Sequence, residues 1–143
     1  MSDAVDIVWE VLEEAALEVQ ARAYCPYSEY PVGAALLGKS GRIYAGCNVE
    51  NAAYGHSICA ERSALVQMVA AGERAPIAAV VVTRGPKAGT PCGACRQMLA
   101  EFVGDMPIRL MVNGAPEQTR TTTLDELLPD AFRPDSLLPK VGS

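Results

Sequence analysis

The chain is short of basic residues, of histidine and of long apolar runs. Twelve Lys+Arg stand against 17 Asp+Glu, a formal charge of −5. That balance makes a nucleic-acid polymer or an anionic membrane a poor partner, because both are held through clustered cations and none is visible here. The apolar run at 77–82 is far too short to cross a bilayer, which takes about 20 residues as a helix. Residues 1–6 carry acids and no apolar core, so they do not read as a secretory signal. Repeats and low-complexity segments are missing as well. His56 is the sole histidine and reads as a loop residue.

What is present is a globular composition. With 143 residues, 50% hydrophobic and 20% charged, the expectation is a single domain over 1–143 with a real core. Five cysteines are an odd number and nothing suggests export, so free thiols in a reducing cytosol are expected.

Periodicity predicts the order α-β-β-α-β-α-β-β-α. Val5, Val8, Trp9, Leu12, Ala16 and Val19 recur at helical spacing, which predicts an amphipathic helix over 4–21. Residues 24–31 hold two prolines and read as a loop. Strands follow at 32–37 and 43–47, joined by the turn Gly38-Lys39-Ser40-Gly41, and 48–57 reads as a loop. A second helix over 59–71 stops at Gly72. The β-branched run 78–82 reads as a strand covered on both faces. A third helix is predicted over 93–102, a strand over 108–112 and a short fifth strand over 118–122. Thr123 with Glu126 makes a capping box for a last short helix, and Pro129, Pro134 and Pro139 break the tail. The fold class expected is α/β, a mixed five-stranded sheet with helices on both faces.

The chemistry concentrates in Pro91-Cys92-Gly93-Ala94-Cys95 and Cys59-Ala60-Glu61. Three thiolates suit one Zn²⁺, and a site with three protein ligands keeps a position open, as catalytic zinc does. Each cysteine falls at a predicted helix start, where unpaired N–H groups and the helix dipole favour thiolate over thiol. Three thiolates on Zn²⁺ sum to −1, which weakens the metal as an acid. Arg62 is a natural donor to the sulfurs and would offset part of that charge, although it could also be a plain surface residue. Glu61 is then free to move protons. A CxxC pair alone could be a redox pair, but no second feature supports that. A structural zinc would need a fourth ligand, for which Cys25, Cys47 and His56 are the candidates. Cys25 and Cys47 otherwise read as small buried hydrophobes.

Cys59-Ala60-Glu61 with the later CxxC resembles the zinc-dependent nucleobase deaminases, with cysteine in place of the first histidine. Asn48-Val49-Glu50-Asn51-Ala52-Ala53-Tyr54, Cys25-Pro26-Tyr27-Ser28, Pro31-Val32-Gly33-Ala34-Ala35, Arg96-Gln97 after the CxxC, and Glu126-Leu127-Leu128-Pro129 with Phe132 narrow the likeness. Together they resemble the small cytidine deaminases of nucleoside salvage, over nearly the whole chain. The resemblance implies a three-layer α/β/α sandwich of the cytidine deaminase type. It implies a zinc hydrolase turning cytidine or deoxycytidine into the uridine product and ammonia. It implies a cytoplasmic homotetramer, with one zinc per chain and active sites at subunit contacts. By the same likeness Cys59, Cys92 and Cys95 are the zinc ligands and Glu61 the proton shuttle. Asn48 and Glu50 would bind the ribose 3′-hydroxyl, within a substrate site that also takes in Val49 and Tyr54. Tyr30 stands where the family usually packs a phenylalanine on the base. Phe132 matches an aromatic that reaches the neighbouring subunit's site. Related zinc deaminases acting on a nucleotide, a free base or a nucleoside antibiotic are the competing enzymes. Nucleotide deaminases need phosphate-binding cations, which are not evident here, and the antibiotic deaminases lack the Asn48-Val49-Glu50-Asn51 block. A non-catalytic zinc module is the competing class.

Overall fold

The structure, a computed structural model, describes residues 5–138. Its elements run α1 (Trp9–Gln20), β1 (Gly33–Gly38), β2 (Ile43–Cys47), α2 (Ala60–Ala70), β3 (Pro76–Thr83), α3 (Gly93–Ala100), β4 (Pro107–Val112), β5 (Arg120–Thr123) and α4 (Leu124–Leu127). The strands form one five-stranded sheet in the order β2-β1-β3-β4-β5. Only β3 and β4 pair in parallel, and the other neighbours are antiparallel. The parallel pair requires a crossover, and α3 supplies it. The expected α/β/α layering is therefore present.

Alternation along the central strands builds the two sides of the core. Ala34, Leu36, Ala79, Val81, Ile108 and Leu110 face α2, α3 and α4 and meet Ala64, Leu65, Met68, Leu99 and Leu124. Ala35, Leu37, Ala78, Val80, Val82 and Met111 face the other way and meet Leu12 and Ala16 of α1. On that side Arg109 stacks 4.3 Å from the Trp9 ring centroid and pairs with Glu13 at 2.7 Å. Two glycines let helices lie directly on strands. A Cβ at Gly33 would strike the Ala16 carbonyl of α1, and one at Gly46 would strike Ala64 N and Ser63 of α2.

The first helix starts at Trp9, later than its periodicity predicts. Val8 has extended backbone with φ −97 and ψ 92. Val5 and Ile7 pack on the α1 side of the core while Asp6 and Val8 face out, a period of two. The segment thus buries its apolar residues as extended chain. Ala4, the expected first residue, and Pro139 lie outside the described residues. The third helix ends at Ala100, and Phe102 reaches the core from the turn beyond. Pro116 opens a 3₁₀ turn, Pro116–Gln118, and this delays β5 to Arg120. The Thr123 hydroxyl accepts the Glu126 N–H at 3.1 Å, the first half of the expected capping box.

Gly46→Ala should destabilise the protein by about 1–3 kcal/mol, because the new methyl meets the backbone of α2. Urea unfolding checks this. An unchanged midpoint would show that α2 can slide off the sheet at no cost.

Candidate active site

Two helix starts meet at one end of the sheet. Cys59 is the N-cap of α2 and Cys92 the N-cap of α3, both with extended backbone, and Cys95 lies in the first turn of α3. The Sγ atoms of Cys59, Cys92 and Cys95 all lie within 4.8 Å of one another. Cys59 Sγ and Cys92 Sγ are 3.7 Å apart. Cys95 is buried, Cys59 half-buried and Cys92 exposed. Three soft donors converging beside an open cavity fit a zinc ion with one position left for water or substrate. Among the described residues the cluster stops at these three, and Cys25, Cys47 and His56 do not join it. Cys25 and Cys47 are half-buried rather than fully buried, and His56 is exposed in the 3₁₀ turn Tyr54–His56.

The metal-free cluster shares its protons unevenly. Cys59 is pulled down from 9.0 to about 6, chiefly because the Cys95 thiol donates to it, with further help from Cys92 and the Arg62 charge. Cys95 is pushed up by the same bond, by burial and by the charge of Glu61. Glu61, in the first turn of α2, is only 7% exposed. Burial, with the Cys59 charge behind it, raises its carboxyl from 4.5 to about 7. A carboxyl poised near neutrality can both take and give a proton. Arg62 Nη2 donates to Ser57 O at 3.0 Å rather than to a sulfur. It acts on the cluster through its charge, and it fastens the loop that leads into Cys59.

A cavity of about 290 Å³ opens over the cluster, lined among others by Tyr30, Asn48, Glu50, Cys59, Glu61 and Cys92. Asn48 Oδ1 accepts the Val32 N–H at 2.8 Å, and its Nδ2 donates to Tyr30 O at 3.0 Å. Glu50 Oε1 accepts the N–H groups of Tyr27 and Ser28 at 3.0 and 3.1 Å, and the Ser28 hydroxyl donates to Oε2. That hydroxyl, with the backbone donors, holds the Glu50 carboxyl below its usual range. Both side chains therefore staple the loop 24–32 to the strand end. An amide has a second N–H and a carboxylate oxygen a second lone pair, so each keeps a group to offer the cavity. The Tyr30 hydroxyl lies beside Gly89, where an added Cβ would touch it at 3.4 Å and press on Thr83 Cγ2 at 3.2 Å.

Three expected site residues do not line this cavity. Val49 turns its side chain to solvent, and its backbone bridges Ile58, N–H to O at 2.9 and 2.8 Å. Extended pairing points alternate side chains to opposite faces, so Asn48 and Glu50 face in and Val49 faces out. Tyr54 is 78% exposed and packs edge-on against Tyr27, with ring centroids 6.3 Å apart. It borders a shallow depression that shares Glu50 and Ser57 with the main cavity. Phe132 is 59% exposed and lies away from its own chain's cavity.

Sequence reasoning passed over Thr83, Gly89 and Thr90, which also line the cavity. It passed over the role of Arg96 too, whose guanidinium donates to Pro91 O, Leu127 O and Thr90 Oγ1 at 2.7, 2.7 and 2.8 Å. Its place directly after Cys95 was the only signal in the sequence.

Fold and site together define a zinc-type hydrolytic enzyme. Residues 9–109 match the family described as the cytidine and deoxycytidylate deaminase zinc-binding region, and the chain belongs to that family. It is 48% identical over 124 residues to a cytidine deaminase of Sporosarcina psychrophila, covering 84% of this chain and 88% of that one. A crystal structure of cytidine deaminase from Burkholderia pseudomallei matches with a TM-score of 0.83 at 42% identity, over 88% of this chain and 100% of that chain. One from Mycobacterium tuberculosis matches with a TM-score of 0.73 at 39% identity, over 89% and 98%.

The buried carboxyl predicts how the metal-free protein responds to pH. With a folded value of about 7 against 4.5 unfolded, folded Glu61 keeps a proton that the unfolded chain has released. Its contribution to stability is full below about 4.5 and is lost as pH rises toward 7. Cys59, depressed from 9.0 to about 6, acts in the opposite sense only between those values, so Glu61 stands clear below about pH 6. Relative to Glu61→Gln, the metal-free parent should lose about 1–2 kcal/mol between about pH 4.5 and 6. Urea unfolding at each pH reads this, and parallel curves for the two proteins would place Glu61 in water.

Proposed function

We propose that the chain is a zinc-dependent deaminase that converts cytidine and deoxycytidine, with water, to uridine and deoxyuridine plus ammonia. The observation that carries it is what one cavity brings together: Cys59 and Cys92 with the Cys95 sulfur close behind them, the buried Glu61, and Asn48 with Glu50. Its similarity to cytidine deaminases supports the same reaction.

In this reading Cys59, Cys92 and Cys95 hold one zinc. A zinc held there would supply Lewis acidity that makes water a better nucleophile. Glu61 would carry one proton of the attacking water to the ring nitrogen and the water's second proton to the departing amine, which leaves as ammonia. The Arg62 charge offsets the excess thiolate charge. Tyr30 lays its ring along the base. Asn48 Nδ2 donates to the ribose 3′-hydroxyl and Glu50 accepts its proton, a pairing that either sugar satisfies.

No Lys or Arg is among the residues lining the cavity, which favours a nucleoside over a nucleotide. The rim pair suits a sugar, which favours a nucleoside over the free base. A cluster that stops at three sulfurs beside a cavity favours catalysis over a structural zinc. We further assign residues 1–143 to a single catalytic domain, in a cytoplasmic homotetramer serving pyrimidine salvage. Tyr24, Tyr27, Val49, Tyr54 and Ile58 are all exposed; backbone bridges join Tyr24, Val49 and Ile58, a ring contact joins Tyr27 to Tyr54, and Ile58 lines the cavity. Such an apolar rim suits burial against another copy. Phe132 then completes a neighbour's pocket, and Val49 and Tyr54 contribute from the rim.

Ammonia release across cytidine, deoxycytidine, cytosine, CMP and adenosine tests the assignment: the first two should react and CMP poorly, whereas efficient CMP turnover would move the protein to the nucleotide branch. Cys92→Ala should lose zinc and turnover together. Glu61→Gln should keep zinc and lose about 10²–10⁴-fold in kcat. A loss below about tenfold would remove Glu61 from the proton path.

The oligomer has its own test. Glu61→Ala and Phe132→Ala chains, unfolded and refolded as an equal mixture, should regain activity above the sum of the two refolded alone. Random assembly restores about one site in four if the aromatic comes from a neighbour in a closed symmetric oligomer. No gain despite verified chain exchange would return Phe132 to its own subunit.

A further inference from the structure

Cys92 raises a question that packing does not answer. It is exposed, whereas its partner Cys95 is buried in the helix layer. Its position as N-cap of α3 brings no side-chain capping bond. What fixes the loop before it comes from Arg96, one turn further along the same helix, whose N–H bonds Cys92 O at 2.9 Å. The Arg96 side chain turns back to Pro91 O at 2.7 Å through Nε and to Thr90 Oγ1 at 2.8 Å through Nη2. Its Nη1 reaches Leu127 O, the last residue of α4, also at 2.7 Å. The next residue, Gln97, donates to Phe132 O at 2.8 Å. A planar fork spanning three acceptors in two chain segments is geometry that only arginine provides.

We propose that Arg96 is a positioning residue that holds the cysteine loop 90–92 and the C-terminal segment after α4 as one unit. The helix that carries Cys95 thereby sets where Cys92 stands, and the same residue sets where the segment bearing Phe132 begins. Loss of the fork frees the two together. The zinc consequence rests on the function proposed above, and the coupling of the two segments does not.

Two readouts separate these. In the metal-free protein, Arg96→Gln should speed amide hydrogen exchange in both 90–93 and 128–133. Arg133→Gln is the control: it removes a different anchor of the same segment, Arg133 Nη1 to Ala100 O and Val103 O at 3.1 and 2.5 Å. It should speed exchange in the C-terminal segment alone. In the zinc form, competition with a chelator should show Arg96→Gln holding zinc about 10–100-fold more weakly than the parent, as loss of an outer anchor does. Arg133→Gln should hold zinc as the parent does, even if its Tm falls as far. Arg96→Lys keeps the charge without the fork and should not restore zinc retention. If Arg96→Gln does not fold, Thr90→Val removes one of the three bonds and should give a smaller change of the same sign. Exchange rising in only one segment, zinc retention equal to the parent's, or full rescue by lysine would each overturn the proposal. A parent that takes up no zinc would overturn the metal reading and leave the exchange result to decide the role of Arg96.

Discussion

The convergence of two helix N-termini on one point is the constraint from which the rest of the molecule follows. Three sulfur donors in close contact repel one another once ionised, and they need positive surroundings that cannot move away. The starts of α2 and α3 supply unpaired N–H groups and the positive ends of two dipoles. The sheet brings those starts together. The parallel pairing of β3 with β4 sends α3 across the sheet from the carboxyl end of β3, where α/β folds leave a crevice. Gly46 lets α2 lie against β2 with its first turn beside that crevice. The Val49–Ile58 bridge then closes the loop that delivers Cys59.

Burial at the same place sets the acid–base chemistry. Glu61 sits two residues beyond Cys59 in a first turn, where side chains project past the helix end. It is covered deeply enough to be raised to about 7 while still lining the cavity. At the rim the opposite holds. Glu50 is held ionised by the Ser28 hydroxyl and backbone donors, as an acceptor rather than a shuttle. Two carboxylates close to one cavity thus take different roles because one lacks hydrogen-bond donors from neighbouring loops and the other is surrounded by them.

The C-terminal segment is tied to α3 at three points, through Arg96 to Leu127 O, Gln97 to Phe132 O, and Arg133 to the carbonyls of Ala100 and Val103. These bonds satisfy backbone acceptors at the ends of short elements that have few of their own. They leave the Phe132 ring outward, unspent in its own chain.

The sequence by itself determined the parts that depend on local spacing. Short apolar, β-branched runs and the turn at 38–41 marked the strands, helical spacing marked α1 to α3 with soft ends, and Cys59, Cys92 and Cys95 were legible because a metal demands those residue types at those separations, with Glu61 beside them as the proton carrier. Where local rules competed, the sequence misled. Val5 and Ile7 satisfy a strand's period as well as a helix's neighbourhood, so the start of α1 was placed too early. Val49 was grouped with Asn48 and Glu50, and only the bridge to Ile58 reveals that an extended chain points it away. Tertiary structure alone decided that Arg62 bonds a carbonyl rather than a sulfur, and that Arg96 joins Thr90 to Leu127. The Arg96 fork reaches 31 residues along the chain, which no rule of periodicity or capping spans, because the chain between must first fold; the Arg62 bond spans only 5 residues, but its acceptor is placed by the loop that leads into Cys59.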